Sequence, residues 1–329
     1  MAPQGQDPEP RVTVIVPAHN AAALLPRLLA ALDRSTCPGP WETVVVDDAS
    51  TDATADIAEE WGARVLRLES RSGPAACRNA GLAAARAPLI AFTDADCEPC
   101  PEWLPALTEA LSDAEIALGP IRPAPGAERG PFDRTLSTGR DSPLFETANL
   151  AVRREVADRV GGFEPFAPVD GMRTGLRPTV DEGHFGEDVV FGWRARRAGA
   201  RTVYVEQALV HHAVFPRGAS GYIAERWRLR FFPALVREVP ELRSHLTLRY
   251  FLSDNTALFD LAVLGVAASL ASRRRAPLVL ALPYLKRRLT WRGGWRRSVA
   301  KRNAAFVAGD AVGFAALLRG SLAAHRLLL

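Results

Sequence analysis

Apolar and polar positions alternate along the first 125 residues in blocks that change period. Val12-Thr-Val-Ile-Val-Pro17 is a near-continuous apolar run, and Leu24, Leu25, Leu28, Leu29 and Leu32 then recur at helical spacing before Thr43-Val-Val-Val-Asp47. The switch predicts strand, helix, strand. Ser50, Thr51 and Asp52 supply the N-cap region of a second helix through Trp61, and a short strand follows at Arg64 to Leu68. An Ala-rich helix is predicted from Pro74 to about Arg86, proline being suited to a first helical turn. Leu89 to Thr93 reads as a buried strand, Pro101 to Leu111 as a helix, and Glu115 to Ile121 as a fifth strand. Consecutive β-α units joined by short turns predict an α/β fold. Its mostly parallel, Rossmann-like central sheet would be flanked by helices, with ligands outside the carboxyl ends of the strands.

After about residue 126 the pattern loosens. A helix is expected from Arg154, followed by Gly161-Gly162-Phe163. Pro165 to Phe185 is long and aperiodic, which marks it as a lid over a site. In Gly186 to Arg197 the spacing of Val189, Val190 and Trp193 is helical and sets Glu187 and Asp188 at the helix start; a strand at Val203 to Glu206 and then His211-His212 follow. Beyond Phe215 the chain turns mainly helical, with Trp227, Phe231, Phe232, Tyr250 and Phe251 among arginines, the pattern of amphipathic helices. Its apolar stretches, Leu261 to Ser272 and Ala276 to Leu285, are parted by Arg273, Arg274 and Arg275. Neither reaches the roughly 18 residues of a spanning helix, so no span is expected. Residues 1–10 lack the basic and apolar regions of a secretory signal and read as a disordered leader. The organisation expected is therefore a leader, an α/β domain over 11–215 and a basic helical region over 216–329.

Composition narrows the picture. With 48% apolar and 24% charged residues among 329, the chain is of ordinary globular type. Its four cysteines suggest a reducing compartment rather than a disulfide framework. The net charge of +4 conceals a split: residues 1–216 hold 21 Lys/Arg against 31 Asp/Glu, net −10, whereas residues 217–329 hold 20 against 6, net +14. A basic, aromatic-studded C-terminal third suits an anionic membrane surface, and no nucleic-acid module accompanies it. The first strand is followed by no G-x-G-x-x-G, and no G-x-x-x-x-G-K-[ST] occurs, which argues against nicotinamide enzymes and P-loop ATPases.

The residues left at the predicted strand ends are Pro17-Ala-His-Asn20, Asp47-Asp48 and Asp94-Ala-Asp96. Two carboxylates one residue apart form a hard oxygen cluster suited to Mg²⁺ or Mn²⁺ held with a diphosphate. Together with Ala76-Cys-Arg-Asn-Ala-Gly81, Gly161-Gly-Phe163 and Gly186-Glu-Asp188, in this order, they resemble the motifs of bacterial family 2 glycosyltransferases over residues 11–215. The resemblance implies a GT-A fold, a nucleotide-diphosphate sugar donor, a divalent cation (Mn²⁺ or Mg²⁺) and inversion at the anomeric carbon. It implies that Pro17, Ala18, Asn20 and Asp48 line the nucleoside pocket with Asp47 in support, and that Arg78 lies near the base or phosphates. In the D-x-D match around Ala95, Asp94 would face the ribose or metal waters and Asp96 would bind the metal. Asp188 would be the general base, oriented by Glu187.

A histidine after the last core strand would add a metal contact, either His211 or His212. Ala208-Leu-Val-His-His212 fits the family's A-x-V-x-H at His212. Asn149 would lie under the donor sugar with Arg153 supporting the diphosphate, and His19 would stack or fill space. Cys97 and Cys100 have C-x-x-C spacing, but no second pair completes a zinc site. The function expected is inverting, metal-assisted transfer to an acceptor hydroxyl on a glycan, lipid or small molecule, in cell-envelope polysaccharide synthesis. Such an enzyme would be cytoplasmic and peripheral at the inner membrane face. A silent sugar-nucleotide-binding scaffold subunit is the alternative.

Overall fold

The computed structural model describes residues 9–140, 142–164, 185–290 and 297–329. The chain forms two compact units, one of residues 9–128, 135–164 and 185–214, the other of residues 129–134 and 215–329.

The first unit is built on strand β1 (Val12–Ala18), whose apolar run is buried because sheet neighbours and helices cover it on every side. Its parallel partners are β2 (Trp41–Asp47) and β4 (Leu89–Phe92), and β3 (Arg64–Arg67) pairs parallel outside β2. Beyond β4 the sheet changes direction. Strand β8 (Leu150–Arg153) inserts antiparallel between β4 and β6 (Ile116–Leu118), and β9 (Thr202–Tyr204) closes the order β3-β2-β1-β4-β8-β6-β9. The sheet is mostly parallel, but the β-α alternation does not reveal β8, which enters from a later segment. Helices α1 (Leu25–Asp33), α2 (Thr54–Trp61), α3 (Pro74–Ala84) and α4 (Trp103–Ala110) follow the predicted spans closely. Of α1, Leu25, Leu28, Leu29 and Leu32 are fully covered, the stripe the spacing predicts. Helices α5 (Arg154–Val160) and α6 (Glu187–Arg197) complete the unit.

The single strand expected over Glu115 to Ile121 is instead two. Gly119 and Pro120 break it: a Cβ on Gly119 would meet the Ala208 carbonyl and the Asn149 amide, and Pro120 has no N–H to give a ladder. The chain resumes as β7 (Ile121–Pro123) in a second sheet, β5 (Cys97–Pro99), β10 (Val210–His212) and β7, with β10 antiparallel to β5 and parallel to β7. Pro165 to Phe185, read as a lid, lies outside the described residues except for Phe185.

The second unit is helical: α7 (Ala219–Glu225), α8 (Phe232–Glu238), α9 (Asp254–Ser272), α10 (Leu282–Thr290) and α11 (Arg297–Ala324), with 3-10 turns at Arg226–Phe231, Pro240–His245 and Ala276–Ala281. Phe132 wedges against Tyr222 and Phe306, at 5.5 and 5.2 Å between ring centroids, and Arg134 and Phe215 exchange backbone hydrogen bonds. Asp310 of α11 is buried, accepting from Tyr284 Oη at 2.6 Å and Asn255 Nδ2 at 3.1 Å and pairing with Arg288. The expectation that no helix here is long enough to span needs correction. The helix α9 begins seven residues before the apolar run at Leu261, so Asp254–Ser272 and, in α11, Val299–Ala324 have the length and apolarity to cross a membrane. Of these, the α9 segment is 17% buried within the protein and the α11 segment 44%.

Candidate active site

Strand pairing assembles one corner of the site. After β4 ends, Thr93 hydrogen-bonds back to Ile15 O and Ala148 O, and Cys97 N closes a turn onto Asp94 O, so Asp94 and Asp96 stand between the two sheets. In the β5–β10 register His212 lies directly opposite Cys97, and Ala213 N bonds Asp96 O. That register puts His212 Nε2 at 3.5 Å from Asp96 Oδ2. His211 points elsewhere, its Nδ1 at 3.9 Å from Cys100 Sγ.

The donor set fits a hard divalent ion. Asp96, Cys97 and His212 hold potential ligand atoms within 4.8 Å of one another. Burial, and then the nearby Asp94 and Asp96 charges, push the Cys97 thiol well above its ordinary value, so it stays S–H and offers no thiolate. The His212 Nδ1 donates to the Ala213 carbonyl at 2.8 Å, which leaves Nε2 facing the Asp96 carboxylate. An imidazole nitrogen facing a carboxylate is a donor pair that suits Mn²⁺ or Mg²⁺.

Arg78 links this corner to the start of α6. It projects from α3 into the interior, 5% exposed, donating from Nη2 to Asp94 Oδ1 and from Nη1 to Glu187 Oε1, both at 3.2 Å. Phe163 lies beneath it, 5.7 Å from the guanidinium carbon to the ring centroid, stacked on Phe191 at 4.3 Å. The Gly161-Gly162-Phe163 motif is thereby explained. Gly162 has φ +72° with no room for a Cβ beside Asn79, and the Asn79 side chain bonds both Phe163 N (2.8 Å) and Phe163 O (2.7 Å). Asp188 accepts from Val189 N at 2.9 Å. Burial first, and then the Glu187 charge, raise its carboxyl well above the ordinary range, with Arg78 opposing. A carboxylate so destabilised is a stronger base.

At the ends of β1 and β2 most candidate side chains bind the protein itself. The Asp48 carboxylate accepts from Ser72 N (2.7 Å) and Gly73 N (2.8 Å), shaping the turn that enters α3. Asp47 is buried, with Oδ2 at 3.4 Å from Ser50 N and Oδ1 without a hydrogen-bond partner among the described residues. Pro17 is half-buried and Ala18 buried, while Asn20 is exposed at φ +48°, its Oδ1 accepting from Thr51 N at 2.8 Å. His19 does more than fill space. Its Nδ1 donates to Asp48 O at 2.7 Å, which leaves Nε2 to accept from Asn20 Nδ2 at 3.2 Å and so fixes one tautomer.

Two expected ligand contacts are braces. Asn149 is 1% exposed, with Nδ2 donating to Pro120 O and Ala208 O and Oδ1 accepting from Trp103 Nε1. Arg153 pairs in register with Leu89, at the opposite end of β4 from Asp94, and its guanidinium donates to Leu111 O and Ser112 O past the end of α4. The antiparallel insertion of β8 puts it there. Ala95 is buried between the two aspartates. Glu146 was not apparent from sequence: burial raises its carboxyl, Ser142 Oγ donates to it at 2.6 Å, and its charge acts on Asp188. Its only signal is position, one residue before Thr147.

A family model described as Glycosyl transferase family 2 matches residues 13–167. An uncharacterized glycosyltransferase of Mycobacterium bovis is 38% identical over 168 residues, 46% of this chain and 74% of that protein. The chain belongs to glycosyltransferase family 2. The pre-mycofactocin glycosyltransferase of Mycobacterium tuberculosis is 31% identical over 226 residues, 61% of this chain, and the match spans 42% of that longer relative. Among solved structures, the mannosyltransferase PcManGT of Pyrobaculum calidifontis, in complex with GDP-Man and Mn²⁺, superposes with a TM-score of 0.57 over 95% of this chain and 87% of its own, at 21% identity. The likeness is one of fold, the GT-A fold of this family 2 glycosyltransferase.

Proposed function

We propose that the first unit transfers a sugar, with inversion, from a nucleotide-diphosphate donor to an acceptor hydroxyl, Asp188 being the general base. The observation that carries this reading is the Arg78 bridge, which ties Asp94 of the D-x-D turn to Glu187 beside the raised carboxyl of Asp188. In a single displacement the acceptor oxygen bonds the anomeric carbon as the bond to the nucleotide diphosphate breaks, and the acceptor proton passes to Asp188. Asp96 and His212, with Asp94 on the inner side, would hold Mn²⁺ or Mg²⁺ against the diphosphate. Bound there, the ion offsets the charge that develops on the leaving oxygens. Glu187, fixed by Arg78, keeps negative charge next to Asp188 and sustains its basicity. Pro17, Ala18, Asn20 and Asp48 form the nucleoside end, supported by Asp47.

The acceptor is a hydroxyl of a glycan, lipid or small molecule of the cell envelope. Residues 216–329, with their basic excess, dock peripherally on an anionic membrane at its cytoplasmic face, in keeping with four free cysteines. Calorimetric titration of UDP, GDP and dTDP, with Mn²⁺ or Mg²⁺ and again with chelator, tests the catalytic reading. One nucleotide should bind only with metal, whereas absence of binding by all three would overturn it.

A further inference from the structure

Large apolar side chains with high exposure are confined, among the described residues, to Leu248 onward, and eight of the fourteen lie between Leu264 and Leu285. They crown a helical hairpin. Helix α9 starts at a Ser253–Thr256 capping box, and the 3-10 turn Ala276–Ala281 folds back on it at Gly265, where a Cβ would meet Pro277 O at 2.7 Å and Leu280 Cβ at 3.0 Å. The near half of α9 is anchored in the unit through Asn255, Asp260 and Ala262. The far half is bare, Leu264 being 63% exposed and Leu270 75%, and in the 3-10 turn Val279 is 60% exposed. An all-round apolar helix left uncovered in water is unstable unless something covers it.

Charge selects the cover. Residues 261–309 contain eleven Lys/Arg and no Asp/Glu, and Arg273, Arg274 and Arg275 sit exposed at the hairpin tip. A second copy would bring cation against cation, and a nucleic acid has no use for aliphatic side chains. An anionic bilayer answers both, with lipid chains for the leucines and phosphates for the arginines, whose long stems reach back to the headgroups. The turn is also prepared for a dry setting, because Ser269 Oγ donates to Arg274 O at 2.7 Å and Ser272 Oγ to Ala268 O at 2.6 Å.

We propose that this hairpin, from Leu264 to Leu282, lies in the surface of an anionic membrane with its aliphatic side chains inserted in the acyl boundary and Arg273–Arg275 at the phosphates, making the protein monotopic. The proposal rests on the membrane-docking reading above and is independent of the catalytic one. The test is flotation of the full chain with phosphatidylglycerol-containing vesicles, using the parent, Leu264→Ser/Leu270→Ser/Val279→Ser, and Val279→Trp with brominated lipid. The triple variant should keep the parent's melting temperature and lose on the order of 100-fold in partitioning. The tryptophan variant should be quenched beyond the parent's own tryptophans.

Flotation of the triple variant equal to the parent, or no added quenching at position 279 while the protein floats, would overturn insertion and leave electrostatic docking standing. Failure of the parent to float would end both. Sedimentation as a dimer that the triple substitution dissociates would instead assign the face to self-association and overturn the proposal.

Discussion

Asp188 lies under opposing influences, burial and Glu187 raising its carboxyl and Arg78 lowering it. Since the base must be ionised to accept a proton, transfer should rise with pH through a limb above the ordinary carboxylate range, read from kcat/KM against pH. Asp188→Asn should reduce kcat by 10³-fold or more while metal-dependent nucleotide affinity, measured by calorimetry, stays within about 3-fold. His212→Ala should do the reverse, weakening Mn²⁺-supported nucleotide binding by about 10-fold or more. Replacing Arg78 by Met leaves the buried Glu187, and the partly exposed Asp94, without their cation. A loss of about 3 to 5 kcal/mol in denaturant unfolding is expected. Catalytic candidates can be named from sequence because their chemistry fixes residue type as well as spacing, and Asp94, Arg78 and Glu187 are brought together in the structure. The bonds that Asn149 and Arg153 make within the protein are not legible in sequence, which names a side chain without its direction; for Arg153 that direction follows from β8 running antiparallel.

The elements readable in advance were those whose burial imposes a period. Strands β1, β2 and β4 are covered on both faces and read as apolar runs, and α1 shows its stripe. The three-residue strands β5, β7 and β10 carry no period, yet their register sets His212 against Asp96. They exist through tertiary pairing, with Gly119-Pro120 forcing the chain from one sheet to the other. Asn149 bridges these parts through three side-chain hydrogen bonds, so Asn149→Ala should cost about 3 kcal/mol in chemical denaturation, seen as a lower midpoint.

At the scale of the whole molecule, the second unit stores an electrostatic cost in Asp260. Its carboxyl is buried, Oδ2 has no hydrogen-bond partner among the described residues, and burial pushes it up to about 6. Folding therefore favours the protonated form. This contribution is complete below the unfolded value of 3.8 and is lost as pH rises toward about 6. Asp260→Asn, neutral throughout, should be the more stable form at pH 7, by on the order of 2 kcal/mol, and should flatten the melting temperature between pH 4 and 7.

The path of the chain sets a further condition. Among the described residues it enters the second unit at Arg129, returns to the first at Thr135 and crosses again at Phe215. On that early excursion it delivers Phe132 to Tyr222 and Phe306, and Asp133 to Arg217 N at 3.0 Å. The helical unit is thus not a cassette that a cut at Phe215 can release. Grafting it onto another catalytic domain requires carrying the six-residue excursion as well, or refilling the socket it occupies.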